Sequence, residues 1–459
     1  MRSKLTKVLH PVAGRPMVLY ALELAEALTS GGKSNIAVIT GHQAERVKDV
    51  ISGYDVIPVV QTRRLGTGHA VAQAQSVFEA GEGWRKQRFV ILSGDTPLLR
   101  QATIQRMLAH HDAERALVTV LTAHLEQPAG YGRIVRGRDG YVWRIVEDKD
   151  ASPAERRISE VNAGTYIVEG HFLFPALSQL KPSNAQKEYY LTDIVSIAVG
   201  LGKRVTAYPS DDPIEALGIN TRQDLAEAER LMRSRIRERL MAAGVTFLAP
   251  ETSFVDSQVQ IGRDCVIHPH TTLEGQTTIG EDCVIRSHCR ITESVLTRGV
   301  TVLDACVIEG ARLEEGCVVG PFSRLRPGTI IRRAAKVGNF VEMKKAELGI
   351  GAKANHLSYL GDARIGKRVN IGAGTITCNY DGVNKHQTVI GDDVFIGSDV
   401  SLVAPVNIGR AAIIGAGSVV TENVPADALA LGRARQVVKT GRAKTWRQKN
   451  GKKPSGGKH

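Results

Sequence analysis

His356 is the residue best suited to chemistry in three polar runs of the chain's second half, 338–345, 355–362 and 372–382. An imidazole is half-protonated near neutral pH, which makes it the natural general base. It stands in the polar run Asn355-His356-Leu357-Ser358-Tyr359-Leu360-Gly361-Asp362, where an Asn-His pair could equally be structural. Gly338-Asn339-Phe340-Val341-Glu342-Met343-Lys344-Lys345 comes before it, and Gly372-Ala373-Gly374-Thr375-Ile376-Thr377-Cys378-Asn379-Tyr380-Asp381-Gly382 after it. In the first half, Ser93-Gly94-Asp95 places a carboxylate where it could hold Mg²⁺ beside phosphates. A simple Asp turn accounts for it equally well. Leu65-Gly66-Thr67-Gly68-His69 offers backbone N–H groups to an anion ahead of a helix, and a plain helix cap fits as well.

The elements that must position His356 have an unusual period. Aliphatic residues fall every six positions at Val255, Ile261, Ile267, Leu273, Ile279, Ile285 and Ile291. The grid resumes at Val302 and Ile308, slips one residue, and continues through Leu313, Val319, Leu325, Ile331 and Val337. It returns at Ile365 and Ile371, then from Ile390 through Ile396, Leu402, Ile408 and Ile414 to Val420. Neither a helix nor an alternating strand has this period. It predicts a parallel β-helix in which three short strands close one coil, with coils about 4.8 Å apart. Glycines that follow the aliphatic, such as Gly262, Gly280, Gly338 and Gly391, suit the corners. The grid breaks between Val337 and Ile365 and again between Ile371 and Ile390. The polar runs fill both breaks, and loops that interrupt a solenoid commonly carry function. With those breaks the catalytic reading of His356 becomes the better one.

Residues 1–225 read as an α/β domain. Strand-like runs at 35–39, 54–60, 88–92 and 117–121 are separated by helical stretches at 16–28, 43–51, 69–78 and 104–112. This alternation predicts a parallel sheet covered on both faces, with ligands beyond the carboxyl ends of its strands. Residues 221–241 look like a solvated connecting helix, and 243–250 lead into the first repeat.

The chain has 459 residues and a formal net charge of +13. Ten Lys and Arg between Arg433 and His459, with no acids, supply most of that charge. The end of this tail, 449–459, reads as disordered; the part from Arg433 to Trp446 could reach back to an anionic ligand. No aromatic-and-basic module accompanies it, which argues against nucleic acid. No apolar run is long enough to span a membrane. Cys265, Cys283, Cys289, Cys306 and Cys317 each precede a grid aliphatic by two residues. They read as buried, reduced core residues and not as metal ligands or disulfides, in keeping with a cytoplasmic protein.

The motifs resemble those of the bacterial bifunctional N-acetylglucosamine-1-phosphate uridylyltransferase/glucosamine-1-phosphate N-acetyltransferase family. The first half contributes Lys7-Val8-Leu9-His10, Gln61 with Leu65-Gly66-Thr67-Gly68-His69, Gly94-Asp95-Thr96-Pro97-Leu98, Gly130-Tyr131-Gly132-Arg133-Ile134, Ile145-Val146-Glu147-Asp148-Lys149 and Asn162-Ala163-Gly164. The second half contributes Arg324-Leu325-Arg326-Pro327-Gly328 and the runs 338–345, 356–362, 370–382 and 391–398. The resemblance implies a nucleotidyltransferase domain with a mixed sheet over 1–221 and a helical linker over 222–243. A left-handed β-helix acetyltransferase domain over 244–432 and a basic tail over 433–459 follow.

For acetyl transfer the resemblance implies His356 as base, Arg326 and Lys344 holding the sugar phosphate, and Tyr359, Asn370 and Asn379 binding sugar and phosphate. It implies Ala373, Asn379, Tyr380, Ser398, Ala416 and Arg433 at acetyl-CoA, with Ser398 also stabilising the oxyanion. For uridylyl transfer it implies Lys7, Gln61, Gly66, Thr67, Ser93, Gly94, Asp95, Gly132, Glu147, Asn162 and Asn220 at the substrates, with Asp95 and Asn220 holding Mg²⁺. Small-molecule substrates, a homotrimer with a shared acetyl-transfer site, and cytoplasmic supply of cell-wall and lipopolysaccharide precursors follow from the same resemblance.

One departure stands out. Family members open with a strand and a Gly-rich loop, Leu-Ala-Ala-Gly-x-Gly-Thr-Arg-Met, and here Met1 falls on its last position. A missing first strand would leave its two neighbours with unpaired edges and open the core. Either the protein starts upstream or only the acetyltransferase remains. The first is preferred, because Lys7 through Asn220 carry the other motifs. Thr6 stands where the family usually has Pro. A single-function nucleotidyltransferase with a β-helix tail would not need His356 or Asn379-Tyr380-Asp381-Gly382. An interaction subunit with a decayed first half would not need the polar runs.

Overall fold

The computed structural model describes residues 1–29, 35–79, 83–216 and 218–451. They form two compact units, one of 1–238 with 255–257, the other of 239–254 with 258 onward.

In the first unit the strands alternate with helices as expected, but the sheet is mixed. Its order is Val205–Pro209, Val118–His124, Glu160–Glu169, Arg133–Arg136, Val142–Val146, and Arg88–Ile91 also pairs with Glu160–Glu169. Only Val205–Pro209 and Val118–His124 run parallel; the other pairs are antiparallel. The wholly parallel sheet expected from alternation is therefore corrected, because the long strand Glu160–Glu169 enters against its neighbours. Both faces are covered. Val118, Val120 and Val168 pack under Phe172, Phe174, Ile194 and Val195, while Leu121 and Ile167 pack against Ile104 and Met107.

Ala37–Thr40 and Ile57–Val60 form a separate parallel pair. Among the described residues Ala37–Thr40 has no other partner, Arg88–Ile91 pairs only with Glu160–Glu169, and no strand joins the two sheets. Each of these strands has one edge without a strand partner among the described residues. Their residues Ala37, Val38, Ile39, Phe89, Val90 and Ile91 are only half-buried.

The helix Arg222–Ala242 is not the solvated connector expected. Its Ala228 is buried with Val12, Met17, Leu98 and Ile219 of the first unit. The expected helix over 69–78 is two short helices, Thr67–Ala72 and Gln75–Glu79.

The second unit is the β-helix that the six-residue period predicts. Its strands stack into three parallel sheets of eleven, ten and nine strands. Grid aliphatics pair with their equivalents one coil on, as Ile261 with Ile279 and Ile267 with Ile285. Each is almost fully buried except Ile261. Burying one aliphatic side chain is worth about 1.5–3 kcal/mol, and this stack repeats it at every corner. The five cysteines lie inside as expected, free and buried. Their thiols donate to backbone carbonyls of the next coil, as Cys265 to Gly280 O at 2.9 Å and Cys283 to Thr297 O at 3.0 Å. Burial pushes the Cys317 thiol up to about 11, so it is unreactive. Outside, ion pairs bridge successive coils: Arg332 meets Glu314 and Glu347 at 2.8 Å each, and Arg368 meets Asp393 at 2.7 Å.

The first of the two expected breaks is not a break. Met343, Leu348, Ala354 and Leu360 continue the inward stack, pairing Leu325 with Met343, Met343 with Leu360, and Val337 with Ala354. Residues 338–362 are therefore coil strands, and their polar side chains are the outward half of the pattern. Gly338 lets this coil lie flat on the next, since a Cβ there would collide with Asn355 O. The second break is real: the chain leaves the coil after Ile376–Cys378 and returns at Thr388–Ile390.

Candidate active sites

In the first unit, Ser93-Gly94-Asp95 follows the carboxyl end of Arg88–Ile91, as expected. Ser93 Oγ donates to Asp95 Oδ1 at 2.7 Å. Lys7 Nζ donates to Asp95 Oδ2 and, at 2.9 Å, to Asn220 Oδ1. Three residues distant in sequence thus meet at one cation, the ammonium, held by two oxygens. Hard oxygen donors of this kind suit a small divalent cation that keeps water and phosphate oxygens as its other ligands. The described residues contain no cluster of three or more His, Cys, Asp or Glu that could enclose a metal by themselves.

A second group lies beside it. A Cβ on Gly132 would sit 3.5 Å from Glu147 Oε1 and 3.6 Å from Asn162 Cβ, so these three line one spot. Asn162 Nδ2 donates to Tyr166 Oη at 2.7 Å, and Asn162 Oδ1 accepts from Gly164 N at 2.9 Å. A Cβ on Gly164 would be 4.0 Å from Ser93 Cβ, which joins the two groups. Thr192 Oγ1 donates to Glu147 at 3.3 Å, yet burial wins and pushes the Glu147 carboxyl above its ordinary range.

Gln61 Nε2 donates to Gly66 O at 3.1 Å. Gly66 has φ +109°, and a Cβ there would be 2.6 Å from Tyr189 O, so the position requires glycine. Thr67 Oγ1 accepts from Leu191 N at 3.0 Å. Gly68 N–H donates to Tyr189 O at 2.8 Å, so that amide is not offered to an anion as expected. Among the described residues no hydrogen bond links Gln61, Gly66 or Thr67 to Asp95 or Asn220.

In the second unit the coil register gathers the predicted base and three of the six predicted acetyl-CoA residues into one ladder. Val337, Ala354, Ile371, Ile396 and Ile414 are equivalent on successive coils. Two residues after each stand Asn339, His356, Ala373, Ser398 and Ala416. Backbone bonds tie this corner together: Asp399 N–H to Ala373 O at 2.7 Å and Gly417 N–H to Ser398 O at 2.8 Å. Arg433 Nη1 donates to Ala416 O at 2.9 Å, which brings the start of the basic tail to the ladder. His356 is exposed, and its Nδ1 lies 2.9 Å from Asn339 Oδ1.

The remaining residues lie on the adjacent sheet. Arg324–Leu325, Glu342–Lys344 and Tyr359–Gly361 are neighbouring strands. Arg326 Nη1 donates to Glu342 Oε1 at 2.9 Å. A Cβ on Gly361 would lie 2.5 Å from Tyr359 Oη and 2.9 Å from Asn379 Nδ2. Asn379, buried, donates to Asp362 Oδ2 at 2.5 Å. Within one chain Asn379 therefore groups with Tyr359 and Asp362, and not with the Ala373–Ser398–Ala416 ladder; Tyr380 is exposed on the hairpin that follows, its Oη donating to Gly382 O at 2.5 Å. Asn370 stands on the ladder's own sheet between Lys353 and Phe395. It has no hydrogen bond to Arg326, Lys344 or Tyr359 among the described residues.

Three residues were not singled out from sequence. Asn339 holds His356, Asp362 holds Asn379, and Lys385 stands across the hairpin from Tyr380. The Lys385 amine, and after it Arg326, depress Lys344 below the ordinary lysine range. Cations crowded in this way are the signature of an anion site. The 17-residue coil that separates Asn339 from His356 was the signal available for the first.

Comparison with known proteins bears on both units. Residues 2–214 match the family model described as nucleotidyl transferase, 250–348 the GMPPB C-terminal domain, and 387–422 the bacterial transferase hexapeptide repeats. A protein of Geotalea uraniireducens named bifunctional protein GlmU is 50% identical over 442 residues, covering 96% of this chain and 95% of that one. Proteins of the same name from Trichlorobacter lovleyi and an Exiguobacterium species are each 48% identical. They span 96% and 97% of this chain, and 95% and 96% of their own lengths.

Proposed function

The chain belongs to the GlmU family, and from that premise we propose how its residues divide two reactions. The protein is a bifunctional transferase. It N-acetylates glucosamine 1-phosphate with acetyl-CoA, and it transfers uridylyl from UTP to N-acetylglucosamine 1-phosphate, giving UDP-N-acetylglucosamine and pyrophosphate. Residues 244–432 carry the first reaction and 1–221 the second.

The observation that carries the acetyl-transfer assignment is the Asn339–His356 pair. An amide oxygen only accepts, so His356 Nδ1 bears the proton and Nε2 is left with a free lone pair. The substrate amine attacks the thioester carbonyl carbon, and its proton passes to Nε2. The C–S bond then breaks, and the same proton goes on to the CoA thiolate. Ser398, on the His356 ladder, donates to the oxyanion. Ala373, Asn379, Tyr380, Ala416 and Arg433 hold acetyl-CoA. Arg326 and Lys344, with Lys385, supply fixed positive charge for the sugar phosphate, and Tyr359 and Asn370 bind the sugar.

For uridylyl transfer, Asp95 and Asn220 would hold Mg²⁺, which when bound screens the charge on phosphate oxygens. Lys7, placed between those two residues, pairs with phosphate. Gly132, Glu147 and Asn162 receive the sugar, while Gln61, Gly66, Thr67, Ser93 and Gly94 shape the nucleotide side.

The split of the acetyl-transfer residues between two faces of one β-helix supports a homotrimer, in which a neighbour's face completes each site. No helix among the described residues is long and apolar enough to cross a membrane. The free buried thiols support a cytoplasmic enzyme making cell-envelope precursors.

The test is a paired assay on the 459-residue chain: CoA release from acetyl-CoA with glucosamine 1-phosphate, and pyrophosphate release from UTP with N-acetylglucosamine 1-phosphate and Mg²⁺. Both are expected. His356→Ala abolishes the first and leaves the second. Acetylation at the wild-type rate by that variant would remove His356 from the mechanism.

A further inference from the structure

The nine residues 379–387 make the one coil here that is longer than its neighbours. Ile371 pairs with Ala354 one coil before and with Ile396 one coil after, a difference of eight residues. The excess forms an exposed hairpin, with Tyr380 bridged to Lys385 and Val383 83% exposed at its tip. Few apolar contacts order it, so its own polar bonds must.

Those bonds converge on one carboxylate. Asp381 Oδ1 accepts Val383 N–H at 2.8 Å and Asn384 N–H at 2.6 Å, closing the tip. Asp381 Oδ2 lies 2.7 Å from His386 Nε2 on the returning limb. Asp381 N–H donates to Asn384 O at 3.2 Å, and His386 N–H to Asn379 O at 2.8 Å. The Asn384 amide and the His386 ring hold the Asp381 carboxyl down at about 2, so it is ionised at any ordinary pH. The root is fixed separately by Asn379 on Asp362.

Lys385 stands next to His386 on the same limb, bridged to Tyr380, and the hairpin's root reaches the Lys344 strand: Asn379 donates to Asp362, whose N–H donates to Lys344 O at 3.0 Å. In keeping with that placement, the Lys385 amine, and after it Arg326, depress Lys344. Like charges facing each other repel, and this repulsion pushes the hairpin away from the coil. Beside the backbone bonds, the Asp381–His386 bridge is the contact between two side chains that ties the limbs together against that push.

We propose that Asp381 and His386 are positioning residues, a latch that holds the hairpin closed so that Lys385 is set against Lys344 as one jaw of an anion clamp. The proposal rests on the reading of this face as the sugar-phosphate site and adds what keeps the clamp assembled before the anion arrives. A bound phosphate monoester turns the repulsion between the two amines into shared attraction. The latch therefore matters most in the free enzyme, and its loss falls on substrate affinity more than on turnover.

The experiment is a double-mutant cycle in acetyl transfer, with KM for glucosamine 1-phosphate and kcat read separately. His386→Ala is expected to raise KM about tenfold, the factor one charge-assisted hydrogen bond contributes, with little change in kcat. His386→Gln, which keeps an N–H donor, is expected to recover part of the affinity. Lys385→Met raises KM on its own, and adding His386→Ala to it is expected to raise KM no further, because there is no longer a charge to position. A bridge that merely stabilised the fold would give additive effects. Additivity, or an unchanged KM in His386→Ala, would overturn the latch. A denaturation midpoint of the second unit close to that of wild type shows that each variant is intact. If wild type itself fails to acetylate glucosamine 1-phosphate, the reading of the site fails. Protection of the Asn384 amide from hydrogen exchange, lost in His386→Ala and kept in wild type, then tests the latch alone.

Discussion

Asn339 and His356 stand at equivalent positions of adjacent coils, and the imidazole Nδ1 lies 2.9 Å from the amide oxygen. This fixes both the tautomer and the direction of Nε2. Asn339→Ala frees the ring to rotate, and acetyl-transfer kcat is expected to fall by about 10- to 100-fold, the usual scale of losing a supporting hydrogen bond. Asn339→Asp keeps the acceptor but adds a charge that favours the imidazolium. Its acid limb in kcat/KM is then expected to move to higher pH. Identical pH–rate profiles for wild type and Asn339→Asp would show that the amide does not govern the base.

The convergence of Asp95, Asn220 and Lys7 predicts a dissociable cation requirement in one reaction only. Asp95→Ala removes one of the two oxygens and is expected to abolish pyrophosphate release while CoA release continues. Chelation by EDTA should do the same to the wild-type enzyme, and Mg²⁺ should restore it, since a site with two protein oxygens holds the ion exchangeably. Loss of acetylation on chelation would contradict the division of labour between the units.

Leu360 tests the continuity of the coil stack. It is fully buried and pairs with Met343 in the coil that carries His356. Leu360→Ala is expected to cost about 2–5 kcal/mol, the range for a large-to-small change in a close-packed core. The loss should be visible as a lowered denaturation midpoint and, because the coil carries the base, as weakened acetylation. A polar loop at 338–362 would tolerate the change without cost.

That coil also shows what a sequence makes legible. The inward positions repeat because each must fit the same narrow prism, so Ile, Val and Leu announce the fold. At Met343 and Ala354 the prism accepts an unbranched and a small side chain, and the repeat hides behind the polar outward residues. Asn339 escaped notice because its partner is one coil away, a neighbour only once the coil length is known. Lys385 was missed because the hairpin's path, not its composition, brings it to Lys344. In the first unit the alternation of strands and helices is plain, but strand direction is not written in side-chain period. The antiparallel pairing of Arg88–Ile91 with Glu160–Glu169 joins segments far apart in the chain. Asp95 was legible as a motif residue and Asn220 only through the family resemblance, whereas their meeting at Lys7 needed the fold.

Glu147 carries a cost that pH can relieve. Burial raises its carboxyl above the ordinary range, against the Thr192 hydroxyl that favours the ionised form. For an acid whose folded value is raised, the unfolded chain ionises more readily, so the group opposes folding at neutral pH and less so as pH falls. Glu147→Gln removes the charge at nearly constant shape. It is expected to be at least as stable as wild type at pH 7, with the difference shrinking as pH falls through the raised value toward the ordinary carboxylate range. The same change weakens uridylyl transfer, because an amide is a poorer acceptor for sugar hydroxyls beside Gly132 and Asn162. A variant less stable at pH 7 than at pH 4, relative to wild type, would mean that the ionised carboxylate stabilises this fold, reversing the sign argued from its burial.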